Sequence, residues 1–195
     1  ALVKGESFGD FKKRIKEQIT AQKWGSRRVE TIFRTNIQTA YNAGHWKRYA
    51  QDGVDVLVYD AVGDSRTRPT HLALDGKAFR RTDKFWDEWF PPNGFRCRCT
   101  TQGMSAIEAE ARGIKIENGG DISNLSVVLP GGQQQQLVPD RGFEFNPGKT
   151  MFGRQANIPS NRVSAKPDED IVEVGPANLV DWAQCPAHES PGPRL

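Results

Sequence analysis

The sequence predicts an α+β fold: N-terminal helices, then a small antiparallel sheet with a short capped helix, then an extended C-terminal arm. Three observations predict it. Apolar residues recur at spacings of three and four through the first fifty residues, as an amphipathic helix requires. Alternating, β-branched runs bounded by Gly and Pro turns follow between 54 and 102. From 149 onward Pro recurs with few apolar clusters, too little apolar surface for that stretch to order itself. The expected organisation is a basic helical segment (1–50), an α+β core (51–148) and a Pro-rich arm (149–195).

Residues 7–24 should form a first helix. Phe8, Phe11, Ile15 and Ile19 line one face, Ser7 and Asp10 are capping candidates, and Gly25 ends the run. A second helix is expected over 27–49, with Val29, Ile32, Phe33, Ile37, Ala40, Tyr41 and Gly44 as its apolar stripe. "VDVLVYDAV" (54–62) reads as a strand. "DSRTRPTH" (64–71) does not, because Pro69 lacks an N–H and pushes Arg68 out of the helical region. "DGKAF" (75–79) is a tight turn into a short strand, "PPNG" (91–94) another turn, and "FRCRCTTQ" (95–102) a second strand. Ser105 and Glu108 can form a capping box whose helix stops at Gly113, and "IKI" (114–116) reads as an edge strand. The Gln run within 130–148 reads as a flexible loop.

The net charge of +3 is unevenly spread. Residues 1–50 carry 11 Lys and Arg against 4 Asp and Glu, residues 51–100 balance, and residues 101–195 are acidic. A basic segment that also bears an apolar stripe suits nucleic acid or a negative protein surface, with Lys12, Lys13, Lys16, Arg27 and Arg28 as candidate contacts. A solvated helix face accounts for the same charges without a partner. No apolar run approaches the roughly 20 residues that span a bilayer, so no membrane partner is expected. Three Cys, two of them separated by one residue, do not make a disulfide framework, and the chain reads as made in a reducing cytosol.

Chemistry concentrates in "HLALDGKAFRRTDKFWDEWFPPNGFRCRC" (71–99). In a strand Cys97 and Cys99 point the same way, and turns at 75–76 and 91–94 can fold His71 back toward them. That gives three soft donors. Zinc needs a fourth, for which Asp64, Asp75 and His45 are candidates. In the competing reading both thiols are small buried hydrophobes and His71 is a hydrogen-bonded structural residue. Asp64, Arg66, Arg68, His71 and Asp75 also admit a general-base reading, against one in which the acids cap turns and the arginines pair with them. No G-x-S-x-G, phosphate-binding Gly loop or H-E-x-x-H is present, so an enzyme is not expected. A metal-dependent nuclease or a zinc-stabilised DNA-binding module is the alternative. Phe79, Trp86, Trp89, Phe90 and Phe95 should bury against the strand at 54–62.

One ordered series of pieces resembles the phage head morphogenesis family of minor head proteins, the Mu F-like family. It runs "RTNIQTAYNAG" (34–44), "DSRTRPTHLALDGKAF" (64–79), "FWDEWFPPNGFRCRC" (85–99), "SAIEAEARG" (105–113) and "GFEFNPG" (142–148). The matching positions are Asp64, Arg66, Arg68, Pro69, His71, Asp75, Gly76, Pro91, Pro92, Cys97, Arg98 and Cys99, and no catalytic role comes with them. The resemblance implies a structural protein of a tailed phage, assembled in the host cytoplasm into the virion head. Its implied partners are the portal protein, the major capsid protein and packaged double-stranded DNA. Many relatives are longer at the N-terminus, and this chain starts close to the matching helix, as a trimmed product would.

Overall fold

Strand β1 (Val56–Asp60) is covered on both faces, and the other elements are arranged about it. The computed structural model describes residues 5–121, 126–129 and 131–153. β1 pairs antiparallel with β2 (Ala78–Arg80) on one side and β3 (Thr100–Met104) on the other. The two-residue strand β4 (Ile116–Glu117) joins β2 in parallel, giving the order β3-β1-β2-β4. The expected edge strand is thus present, and it makes the otherwise antiparallel sheet mixed.

Alternation along β1 sorts the core into two layers. Leu57 and Tyr59 face a cluster with Phe79, Trp86, Phe90 and Trp46. Val56 and Val58 face Ala78, Met104 and, from the helix over Ala106–Ala111, Ala109. Of the five aromatics expected in the core, Phe79, Trp86, Trp89 and Phe90 are buried. Phe95 is only half-buried, its ring edge-on to Phe143, 4.8 Å between centroids.

In chain order the helices are α1 (Phe8–Arg14), α2 (Lys16–Ala21), α3 (Ser26–Gln51), α4 (Pro69–Leu72), α5 (Phe85–Glu88), α6 (Ala106–Ala111) and α7 (Pro147–Phe152). The single N-terminal helix expected over 7–24 is broken at Ile15, whose backbone leaves the helical region (φ −102°, ψ 20°). Ser7 and Asp10 cap α1 reciprocally, as a capping box does. Phe8 and Phe11 pack on Phe33 of α3, with ring centroids 5.3 and 5.2 Å away. The buried face of α3 is rotated from the expected stripe. It consists of Val29, Ile32, Thr35, Asn42, Ala43 and Trp46, while Tyr41 and Gly44 are exposed. The polar members of this face bond to distant backbone, as described below. At α6 the Ser105 hydroxyl accepts the Glu108 N–H, but the Glu108 carboxylate turns to Arg112 instead of completing the box.

Two further expectations are corrected. The Gln run is no loop: Gln134–Gln136 is strand β6, antiparallel to β5 (Ser126–Val128), with Gly131 and Gly132 in the left-handed turn between them. The arm expected from 149 begins inside α7, which packs on α3; residues 154–195, with Cys185, lie outside the described residues. Among the described residues no helix is long and apolar enough to cross a membrane.

The α3–α7 contact depends on a missing side chain. A Cβ at Gly148 would collide with Cβ, Cγ and Cδ1 of Trp46, so Gly148→Ala must shift α7 or the indole. It should lower unfolding free energy by about 1–3 kcal/mol, as overpacking does. Phe79→Ala, at a fully buried position, should cost about 3–5 kcal/mol. Denaturant unfolding of the two variants beside the parent measures both.

Candidate metal centre

His71 comes from a single helical turn. Pro69 sits in the first turn of α4, where its fixed φ suits the helix and its missing N–H is not needed, and Arg68 caps the turn in extended conformation. The imidazole points inward and is 2% exposed. Cys97 and Cys99 come from the segment after the Pro91–Pro92 turn. That segment is not the strand expected over 95–102, since β3 begins only at Thr100. Arg96 is in the left-handed region (φ 59°), which no regular strand allows.

Long-range hydrogen bonds from α3 hold this irregular backbone. The Thr35 hydroxyl accepts the Arg96 N–H at 3.0 Å. Gln38 Nε2 and Asn42 Nδ2 both donate to the Cys99 carbonyl, at 2.9 and 3.2 Å. Thr100 Oγ1 donates to Asn42 Oδ1 (2.9 Å), and the Tyr49 hydroxyl donates to the Thr101 carbonyl (2.6 Å). The sequence reading missed Thr35, Gln38 and Asn42. Their spacing of three and four on one helix face was the available signal.

The result brings His71 and both thiols together. His71 Nδ1 lies 3.6 Å from Cys97 Sγ and 3.6 Å from Cys99 Sγ, and all three side chains are buried. The Cys99 S–H, with His71 adding to it, holds the Cys97 sulfur well below the ordinary thiol range against the effect of burial. Cys97 and burial together push Cys99 well above that range. The Tyr59 hydroxyl borders it and is pushed up by burial, and it donates to Asn93 Oδ1 at 2.8 Å.

The proposed fourth donors do not join them. Both Asp64 oxygens are engaged by Arg98, at 2.5 and 2.8 Å, and Arg66 adds a third contact at 3.2 Å. Arg98 is the main reason the Asp64 carboxyl is held far below the usual carboxylate range. Asp75 Oδ1 accepts the Ala61 N–H at 2.8 Å, closing the turn whose left-handed residue is Gly76. His45 lies among Tyr41 and Tyr49, and burial pulls it below the ordinary imidazole range. Among the described residues, the group able to hold a metal is His71, Cys97 and Cys99. The general-base pairing of His71 with Asp64 or Asp75 is not formed either.

Arg68 bonds the Phe95 carbonyl (3.0 Å) and pairs with Asp140 (2.9 Å). Arg66, Arg68, Arg96 and Arg98 all line one small recess that the three donors also line. Of the basic residues singled out at the N-terminus, Lys12, Lys13, Lys16 and Arg27 are exposed, while Arg28 is half-buried with its guanidinium over Trp24, 5.4 Å from the ring centre.

Residues 1–102 match the family described as Phage Mu protein F like protein. The chain is 34% identical over 149 residues to the "Putative capsid assembly protein F" of Escherichia phage Mu, covering 65% of this chain and 33% of that protein. It is 35% identical over 154 residues to the "Mu-like prophage FluMu F protein" of Haemophilus influenzae, covering 68% of this chain and 36% of that protein. The chain therefore spans about a third of the length of these relatives. No solved structure matches it.

Two measurements check this geometry. Asn42→Ala leaves the Thr100 hydroxyl without its acceptor and removes one donor from the Cys99 carbonyl. It should destabilise the fold by about 1–3 kcal/mol in denaturant unfolding. Asp64 has a folded pKa below its unfolded value of 3.8, so its stabilisation is present above that pH and is lost as pH falls through the folded value. The midpoint temperature of Asp64→Asn should accordingly fall less steeply below pH 3.8 than that of the parent.

Proposed function

The chain belongs to the Phage Mu protein F like family, and on that premise we propose that it is a minor structural component of a tailed-phage head. It binds at or near the portal vertex and acts in head assembly and in the path of the packaged DNA. The match over residues 1–102, together with a relative named for capsid assembly, carries this reading. The role is one of binding, to the portal protein first and to major capsid protein and double-stranded DNA through the same head environment, and it places the chain in the virion.

The N-terminal helices supply the contact. Neither α1 nor α2 has a buried residue. Phe8, Phe11, Ile15 and Ile19 stay half-covered, beside the exposed Lys12, Lys13, Lys16 and Arg27. An apolar stripe edged by cations fits a negatively charged protein surface, where the stripe gives area and the charges give rate and register.

Lys12, Lys13 and Lys16 changed together to Glu should abolish co-purification of the chain with portal protein while leaving its thermal midpoint within about 2 °C, since exposed charges contribute little to folding. Association of the parent should weaken as salt rises. A parent chain that associates neither with portal protein nor with assembled heads would overturn the proposal, and unchanged binding by the variant would remove α1 and α2 from it. Titration with double-stranded DNA in the same salt series separates a phosphate contact, whose affinity falls with a log–log slope of about −0.9 per phosphate neutralised.

A further inference from the structure

We infer that His71, Cys97 and Cys99 form a zinc site, with His71 Nδ1 and the two sulfurs as three ligands and a water or anionic oxygen from the recess as the fourth. The distances support this first. A tetrahedral zinc with Zn–S of about 2.3 Å and Zn–N of about 2.0–2.1 Å sets each S···N edge at about 3.6 Å. Both S···N separations are 3.6 Å, the edge such an ion requires, and the three donor atoms all lie within 4.8 Å of one another.

The symmetry supports it next. One ring nitrogen offers a single lone pair or a single N–H, so it makes one good hydrogen bond. Two sulfurs at equal distance from it match two edges of one tetrahedron about a common ion. Thiolate and imidazole together select zinc over magnesium or calcium, which prefer oxygen.

Preorganisation is the third support. The ligands stand 26 and 28 residues apart, on an α4 turn started by Pro69 and on a segment clamped by Gln38 and Asn42. The clamp acts on backbone, so the site does not depend on the ion for its shape. The open vertex follows from the recess, because all three ligand residues line it. Asp64 and Asp75, the carboxylates that flank α4 in sequence, are engaged elsewhere, the first by Arg98 and Arg66 and the second by the Ala61 N–H. Zinc here ties α4 to the 97–99 segment.

The test is metal analysis of the full reduced chain after zinc-supplemented expression and gel filtration. About one zinc per chain is expected. Cobalt(II) added to the chelator-stripped parent should give visible bands of a tetrahedral ion and a near-ultraviolet sulfur-to-cobalt charge-transfer band. His71→Ala, Cys97→Ser and Cys99→Ser should each lower bound zinc about tenfold or more, whereas His45→Ala, Asp64→Asn and Cys185→Ser retain it. The cobalt spectrum and the rise in thermal midpoint on zinc addition are read on the parent, so misfolding of a ligand variant does not decide the question. A folded parent with no more than about a tenth of an equivalent of zinc and no charge-transfer band would overturn the site. Loss of zinc from Cys185→Ser would overturn the open fourth position. Portal association is unaffected by either outcome, since it uses other residues.

Discussion

The Cys99 carbonyl is the constraint on which the rest depends. It accepts from both Gln38 and Asn42, 61 and 57 residues away in sequence. Through it the middle of α3 fixes a stretch of backbone that has no ladder of its own. Around it Thr35 takes the Arg96 N–H, so three side chains of one helix replace the pairing a strand would give, and Tyr49 extends the row to the Thr101 carbonyl in β3. A buried backbone group without a partner costs more than a made bond returns, which explains why this helix face is polar in the middle of the core. Through these bonds the middle of α3 is tied to the segment that leads into β3.

The arginines of the recess serve the same end by a weaker interaction. Arg98 and Arg66 hold Asp64, Arg68 holds Asp140 and the Phe95 carbonyl, and Arg96 reaches Glu30 at 3.4 Å. These side chains are a third or more exposed, and such pairs contribute little to stability. Their geometry matters more than their energy. Each links an irregular segment to another at a defined angle, and together they surround the donors with positive charge that suits thiolates.

Much of this was legible in the sequence, and the failures have physical causes. The alternation in 54–62 gave β1, Pro69 gave the start of α4, and the turns at 75–76 and 91–94 brought His71 to the thiols. The pattern "FRCRCTTQ" also alternates, but Arg96 is left-handed and its N–H goes to the Thr35 hydroxyl 61 residues away, a tertiary contact that local propensity cannot contain. The true buried face of α3 escaped because Thr35 and Asn42 look like solvent residues until their partners 61 and 58 positions away are known. The break at Ile15 has no Gly or Pro to announce it. The Gln strand β6 has every side chain exposed, so no apolar alternation marks it as the strand that pairs with β5.

Helix α3 also acts as a spacer. Helix α1 rests on it at Phe33, and α7 rests on it at Trp46, with Lys47 over the Phe152 ring. Thirteen residues of helix separate these two points, about 20 Å at 1.5 Å per residue. A contact made through α1 and one made beside α7 would be held at that separation by a rigid rod, not by a linker whose ends wander.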